Sequence, residues 1–153
     1  MKLIEIADLS CLELLALHAR IAEELRDRGI ARTSNNPTGE LAEHLFCTAF
    51  GWIPAGNSSA NIDASAPDGI RYQIKGRRIT RHNQSRQLSA IRDLKGRHFD
   101  FLAGVVFTED YRVRRAALIP YAVVDRRAKF VRAPTATNSS CTMTSGKHPA
   151  CAM

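Results

Sequence analysis

At 153 residues the chain is long enough for one domain with a true core and cramped for two. Hydrophobic residues make up 44% and charged residues 24%, an ordinary globular balance, and no apolar run approaches the ~20 residues of a membrane span. The net charge of +7 is concentrated: residues 71–98 hold nine Lys/Arg against one acid, Asp93, so the remainder is close to neutral. Such a localised field suits a polyanion better than it suits general solubility.

The first ten residues, MKLIEIADLS, reach acidic positions too soon for a secretory leader, which predicts a cytoplasmic protein with no membrane partner. Cys11, Cys47, Cys141 and Cys151 form no CxxC pair and have no His at zinc-finger spacing, so they are expected to be free thiols without a structural metal. Residues 8–28 carry Leu12, Leu15, Ile21, Ala22 and Leu25 at helical spacing, with Gly29 as a stop and His18 as a structural residue. The turn TSNNPTG then supplies a cap and a proline for a second helix, over about 37–50, ending before Gly51. Two strands are predicted near 61–65 and 70–79, followed by a polar irregular stretch at 80–87. A short helix around 88–96 would bury Leu88, Ile91 and Leu94. FDFLAGVVF at 99–107 is too hydrophobic for a surface edge and reads as an interior strand. A turn at 108–112 leads to a strand at 113–119, and Pro120 opens a last helix, PYAVVDRRAKF. The expected order is α-α-β-β-α-β-β-α, a mixed sheet flanked by helices in a single domain over 1–132. From Ala133 onward the chain has no periodicity and is rich in Thr, Ser and Ala, so it is expected to be a disordered tail.

Between Ile62 and Arg78, IDASAPDGIRYQIKGRR, the first hairpin gathers Asp63, Gln73 and Lys75. One reading is a solvated edge hairpin; the other is a metal site, since Mg²⁺ takes hard oxygen ligands and phosphodiester chemistry needs a cation beside it. Gln73 and Lys75 share a face because side chains alternate along a strand. Pairing Asp63 directly across from Gln73 would bring its carboxylate to that face. Asp68 belongs to the Pro-Asp-Gly turn. A second carboxylate is expected from the preceding helix, whose buried side is set by Leu41, Ala42, Leu45, Phe46 and Ala49. Glu43 lies at the rim of that face and Glu40 points away from it, so Glu43 is the better placed; His44 is expected at the surface.

A helix bearing Glu, a strand with Asp, a turn and a strand QIK resemble the PD-(D/E)XK nuclease superfamily, the restriction-endonuclease-like fold. The fuller run GELAEHL, NIDAS, DGIRYQIKGRR, LSAIRDL and FDFLAGVVF resembles small bacterial members of it, over about residues 37–125. The resemblance implies a Mg²⁺- or Mn²⁺-dependent endonuclease of a defence, repair or mobile-element system, acting on double-stranded DNA. Asp63 would be the metal-binding acid, Gln73 would replace the usual Asp/Glu, and Lys75 would be the catalytic lysine. Glu43 would be the helix glutamate and the Ile74 carbonyl a further ligand. Arg77, Arg78 and Arg81, with Ser89 and Arg92, would contact flanking phosphates without reading sequence. A neutral Gln73 weakens the site for Mg²⁺ relative to a carboxylate, which leaves a degenerate nucleic-acid-binding module as the alternative. Many nucleases of this size dimerise to cut both strands, so a homodimer is compatible with the reading.

Overall fold

The computed structural model describes residues 5–56, 61–91 and 93–127. After a 3-10 turn at Ile6–Asp8, helix α1 runs Cys11–Asp27 and α2 Thr38–Phe50. The strands are β1 (Ile53–Pro54), β2 (Ala64–Ser65), β3 (Arg71–Arg78), β4 (Phe101–Phe107) and β5 (Val113–Pro120), and helix α3 follows at Tyr121–Arg127. The fold is thus mixed α/β, with three helices and one five-stranded sheet in the order β1-β2-β3-β4-β5. β1–β2, β2–β3 and β4–β5 pair antiparallel, while β3–β4 pair parallel. Tyr121–Arg127 cover the described part of the predicted last helix; the remainder of that helix and the Thr/Ser/Ala-rich tail, with Cys141 and Cys151, lie outside the described residues.

The first two helices start differently. Ser10 and Glu13 form a reciprocal capping box on α1, side chain to backbone in both directions. α2 begins one residue later than expected, with Pro37 before the first turn; the Asn36 Oδ1 accepts from both the Thr38 N–H (3.0 Å) and its hydroxyl (2.6 Å). Gly51 ends α2 in the left-handed conformation, φ 65°.

Three expectations need correction. The apolar stripe read on α1 is not a core face: Leu12, Leu15 and Ile21 are exposed and the helix buries no residue. Periodicity identifies an apolar stripe but not what lies against it. No α-helix forms among the described residues of 88–96: there is one 3-10 turn, Leu94–Gly96, flanked by Asp93 (φ 45°) and Arg97 (φ 47°), both left-handed, which helical propagation does not tolerate. Leu88, Ile91 and Leu94, predicted to be buried by that helix, are half-buried without it, packed against the second core cluster. Finally, Ala49 is exposed; α2 turns only Ala42 and Phe46 fully inward.

Alternation along β4 divides the core between the two faces of the sheet. Ala103, Val105 and Phe107 pack with Ala42, Phe46, Trp52, Tyr72 and Ile74 under α2. Leu102 joins Phe99 and Val124 on the other side. Trp52 lies flat on Tyr72, ring centres 3.6 Å apart, and Phe46 is stacked with Trp52 at 5.7 Å. β4 reads as an interior strand because it is one, buried at five of seven positions.

Gly76, in β3, lies close against the start of α2. A Cβ there would stand 2.5 Å from the Thr38 carbonyl oxygen and 3.0 Å from the Ala42 Cβ. Backbone cannot yield as a flexible side chain does, so Gly76→Ala is expected to destabilise by about 1–3 kcal/mol, visible as a fall of several degrees in Tm. An unchanged Tm would mean that α2 shifts away from β3 at no cost.

Asp100, at the foot of β4, accepts from the Arg71 backbone N–H (2.9 Å), Nε (3.2 Å) and Nη2 (3.1 Å). These bonds from Arg71 hold its carboxyl below the ordinary value of 3.8. A lowered folded value means stability that is present above the unfolded value and lost as pH falls through the folded one. Asp100→Asn should therefore lower Tm at pH 7, and its deficit relative to wild type should close as pH drops below about 3.8. Paired melting curves from pH 7 to 2.5 test this; a deficit constant with pH would refute it.

Candidate active site at the margin of strand β3

β2 is short, and its ladder with β3 stops at Ala64↔Tyr72. The expected Asp63–Gln73 ladder pair is therefore not formed; the Asp63 N–H instead donates to the Tyr72 carbonyl (2.9 Å). The two side chains meet all the same. Asp63 Oδ2 accepts from Gln73 Nε2 and from the Ile74 N–H (2.6 Å), so the carboxylate takes the place that a longer β2 would have filled. A strand residue directs its N–H and C=O to the same edge, so the Ile74 carbonyl emerges beside Asp63. Gln73 is the one buried polar residue among the described residues, 8% exposed. With its Nε2 committed to Asp63, its amide oxygen remains available.

Lys75 lies two residues on, along the Gln73 face, half-buried beside Gly104 in the β4 register. No hydrogen bond or ion pair engages it among the described residues.

Glu43 reaches this margin from α2. Burial pushes its carboxyl above the ordinary value of 4.5; the nearby Asp63 charge adds to the rise, and Arg32 opposes it. Arg32 is a residue the sequence did not flag. It donates to Glu43 Oε2 at 2.5 Å and stands 3.8 Å from Glu40 Oε1. Glu40 is covered as well, its side chain only 16% exposed beside Arg32. Asp68 is in the turn as read, its Oδ1 accepting from the Ile70 N–H (3.1 Å) ahead of β3. Cys47, one helical turn beyond Glu43, has its thiol pushed up by burial and by Glu43, which makes it a poor nucleophile.

As a cation site the margin offers Asp63 and Glu43 carboxylates, the Gln73 amide oxygen and the Ile74 carbonyl. That all-oxygen set suits Mg²⁺, which binds through one or two carboxylates and keeps several waters. Among the described residues no three His, Cys, Asp or Glu side chains come together as a metal-binding group, so the amide and backbone oxygens are indispensable to it.

The basic segment is partly employed within the fold. Arg71 pairs with Asp100 and Lys95 with Asp125 (2.8 Å). Arg77 donates Nε to the Ser85 carbonyl (3.0 Å) and Nη2 to Asn83 Oδ1 (2.9 Å). The Arg78 guanidinium lies 4.5 Å from the centre of the Tyr111 ring. Arg81 is exposed, with its Nε on His82 (3.1 Å), and Ser89 is exposed. Arg92 lies outside the described residues. Lys75, Arg77, Arg78, Arg81, Arg86 and Arg97 have no carboxylate partner among the described residues, so a positive surface survives the internal pairing. No helix among the described residues is long and apolar enough to cross a membrane.

Compared with models of known protein families and with curated proteins, the chain gives no match.

Proposed function

We propose that the protein is a metal-dependent phosphodiesterase acting on double-stranded DNA, an endonuclease with a restriction-endonuclease-like arrangement. The observation that supports this best is the convergence of Asp63, Gln73 and the Ile74 backbone at one sheet margin, with Lys75 two residues on. Asp63, Gln73, the Ile74 carbonyl and Glu43 would hold Mg²⁺ or Mn²⁺. When bound, such an ion activates a water as nucleophile and neutralises charge on the phosphoryl oxygens. Lys75 directs an ammonium at the face where that phosphate would lie and stabilises the charge that builds in the transition state. Arg77 and Arg78 at the end of β3 and Arg81 beyond it, none with a carboxylate partner among the described residues, hold the flanking backbone and set its position, not its sequence. The reading carries with it a cytoplasmic location and, for cutting both strands, a homodimer.

A second reading has an observation in its favour. Gln73 brings no charge and gives an N–H to Asp63, while Arg32 already neutralises Glu43. This is the pattern of a margin that binds DNA without cutting it. Nicking of supercoiled plasmid in Mg²⁺ or Mn²⁺ separates the two. Nicking abolished by chelator supports the enzyme; binding that is indifferent to chelator, with no nicking, supports the binder.

A further inference from the structure

Beyond the catalytic margin, β3 ends at a groove of about 310 Å³ lined by Asn36, Thr38, Arg77, Arg78, Thr80 and Asn83, with Gly76 at its floor. Its hydrogen-bonding character is one-sided. Asn36 Oδ1 is taken by the Thr38 N–H and hydroxyl. Asn83 Oδ1 is taken by Arg77 Nη2 and by the Ser85 N–H (3.2 Å). The backbone amides and the guanidinium can only donate, so both side-chain orientations are decided: oxygens toward the protein, with both Nδ2 groups unpartnered among the described residues. Thr80 Oγ1 is likewise occupied as an acceptor by the Asn83 N–H (3.1 Å), and its carbonyl by Gln84 Nε2 (2.7 Å). No carboxylate lines the groove. What remains on offer is mostly donors: two amide groups, the Thr80 hydroxyl proton and two guanidinium groups, Arg77 braced by the 80–85 loop and Arg78 braced on Tyr111. The Thr38 hydroxyl oxygen is the one side-chain acceptor left open among these lining groups.

We propose that this groove is a phosphodiester-binding subsite that clamps the DNA backbone away from the scissile bond. The proposal rests on the nucleic-acid reading above and adds a place to it. Arg78 is three residues beyond Lys75, about 10 Å along a strand. At about 3.4 Å of axial rise per nucleotide on one DNA strand, that is roughly three nucleotides from the attacked phosphate. The volume lies at the lower limit of small-ligand sites, about 300 Å³, which suits a single phosphate with its sugar and not a longer segment.

The test is binding of a fluorescently labelled 20-base-pair duplex by anisotropy in EDTA, as a function of KCl. Arg78→Ala should lower the slope of log K against log[salt] by about 0.9, one released counterion. Asn36→Asp and Asn83→Asp keep the acceptors that Thr38, Arg77 and Ser85 require while removing the outward donors. Each should weaken binding about tenfold at an unchanged Tm. Wild-type slope and affinity in all three variants would overturn the subsite and leave the nuclease reading standing if nicking persists. A reduced slope in a protein that never nicks would sustain the subsite and overturn catalysis. Absence of any duplex binding by wild type overturns both.

Discussion

Replacing Lys75 by alanine is expected to cut Mg²⁺-dependent plasmid nicking by about 10²–10³-fold, the range found when one preorganised electrostatic group is removed from a transition state. The same change should move stability by no more than about 0.5 kcal/mol, because Lys75 makes no ion pair or hydrogen bond among the described residues. Asp63→Ala should behave differently. It removes the acceptor of the Ile74 N–H and of Gln73 Nε2 together. A buried donor left unmade costs about 1–3 kcal/mol, so nicking and Tm should fall together. Asp63→Asn keeps an oxygen for the Ile74 N–H and discards the charge; it should recover most of the Tm and none of the nicking. Initial nicking rates and melting curves on the four proteins decide the matter. Wild-type nicking by Lys75→Ala would remove this margin from consideration as the active site.

That contrast bears on what the margin is for. An Asp that merely satisfied a frayed strand edge would lose stability on truncation and nothing else. A ligand to a cation would lose activity in both the Ala and the Asn variants. The geometry alone supports both roles at once, since one oxygen, Oδ2, takes both internal donors and Oδ1 takes none among the described residues.

Several of these features were legible before any coordinates. α2 and β3 were, because each carries a period, Ala42 and Phe46 one turn apart and Tyr72 and Ile74 alternating; β4 was legible from its length and composition, a seven-residue apolar run from Phe101 to Phe107. β1 was not. It has two residues, one of them Pro54, and exists only because β2 lies beside it. The helix expected near 88–96 failed for a local reason, the left-handed residues on either side of Leu94–Gly96, which no apolar spacing betrays.

The same division holds at the site. The Asp63–Gln73 approach follows from hairpin spacing, even though the ladder stops one pair short and the side chains complete it. Glu43 was preferred over Glu40 on the helical wheel; in the structure both carboxylates lie against Arg32. Arg32 was invisible because it comes from a loop between helices, where no periodicity constrains direction. The groove was invisible for a related reason. Its chemistry lies in which end of Asn36 and of Asn83 is already spent, and only coordinates show that.

Gln73→Glu is the substitution that most sharply divides a metal site from a relic. In EDTA at pH 7.5 the introduced carboxylate would face that of Asp63 at a position only 8% exposed, without the amide donor that now joins them. An uncompensated buried charge costs about 3–5 kcal/mol, so a fall in Tm well beyond that of Asp63→Ala is expected. Burial and the like charge both raise the folded pKa of the introduced group above its unfolded value of about 4.3. A raised folded value means that stability is intact below the unfolded pKa and lost as pH rises through the folded one. The variant should therefore melt close to wild type at pH 4 and far below it at pH 7.5. Mg²⁺ should recover much of the loss: at a hundred times Kd a bound cation contributes about 2.7 kcal/mol, and the added carboxylate supplies the charge that Gln73 withholds. Melting curves at both pH values, with EDTA and with Mg²⁺, give four numbers. Rescue at pH 7.5 by Mg²⁺, with no effect of the ion at pH 4, is the signature of a cation held between the two acids. A Tm at pH 7.5 that ignores Mg²⁺ would mean that the margin has no place for a metal even when its charge is restored, and the DNA-binding reading would then stand alone.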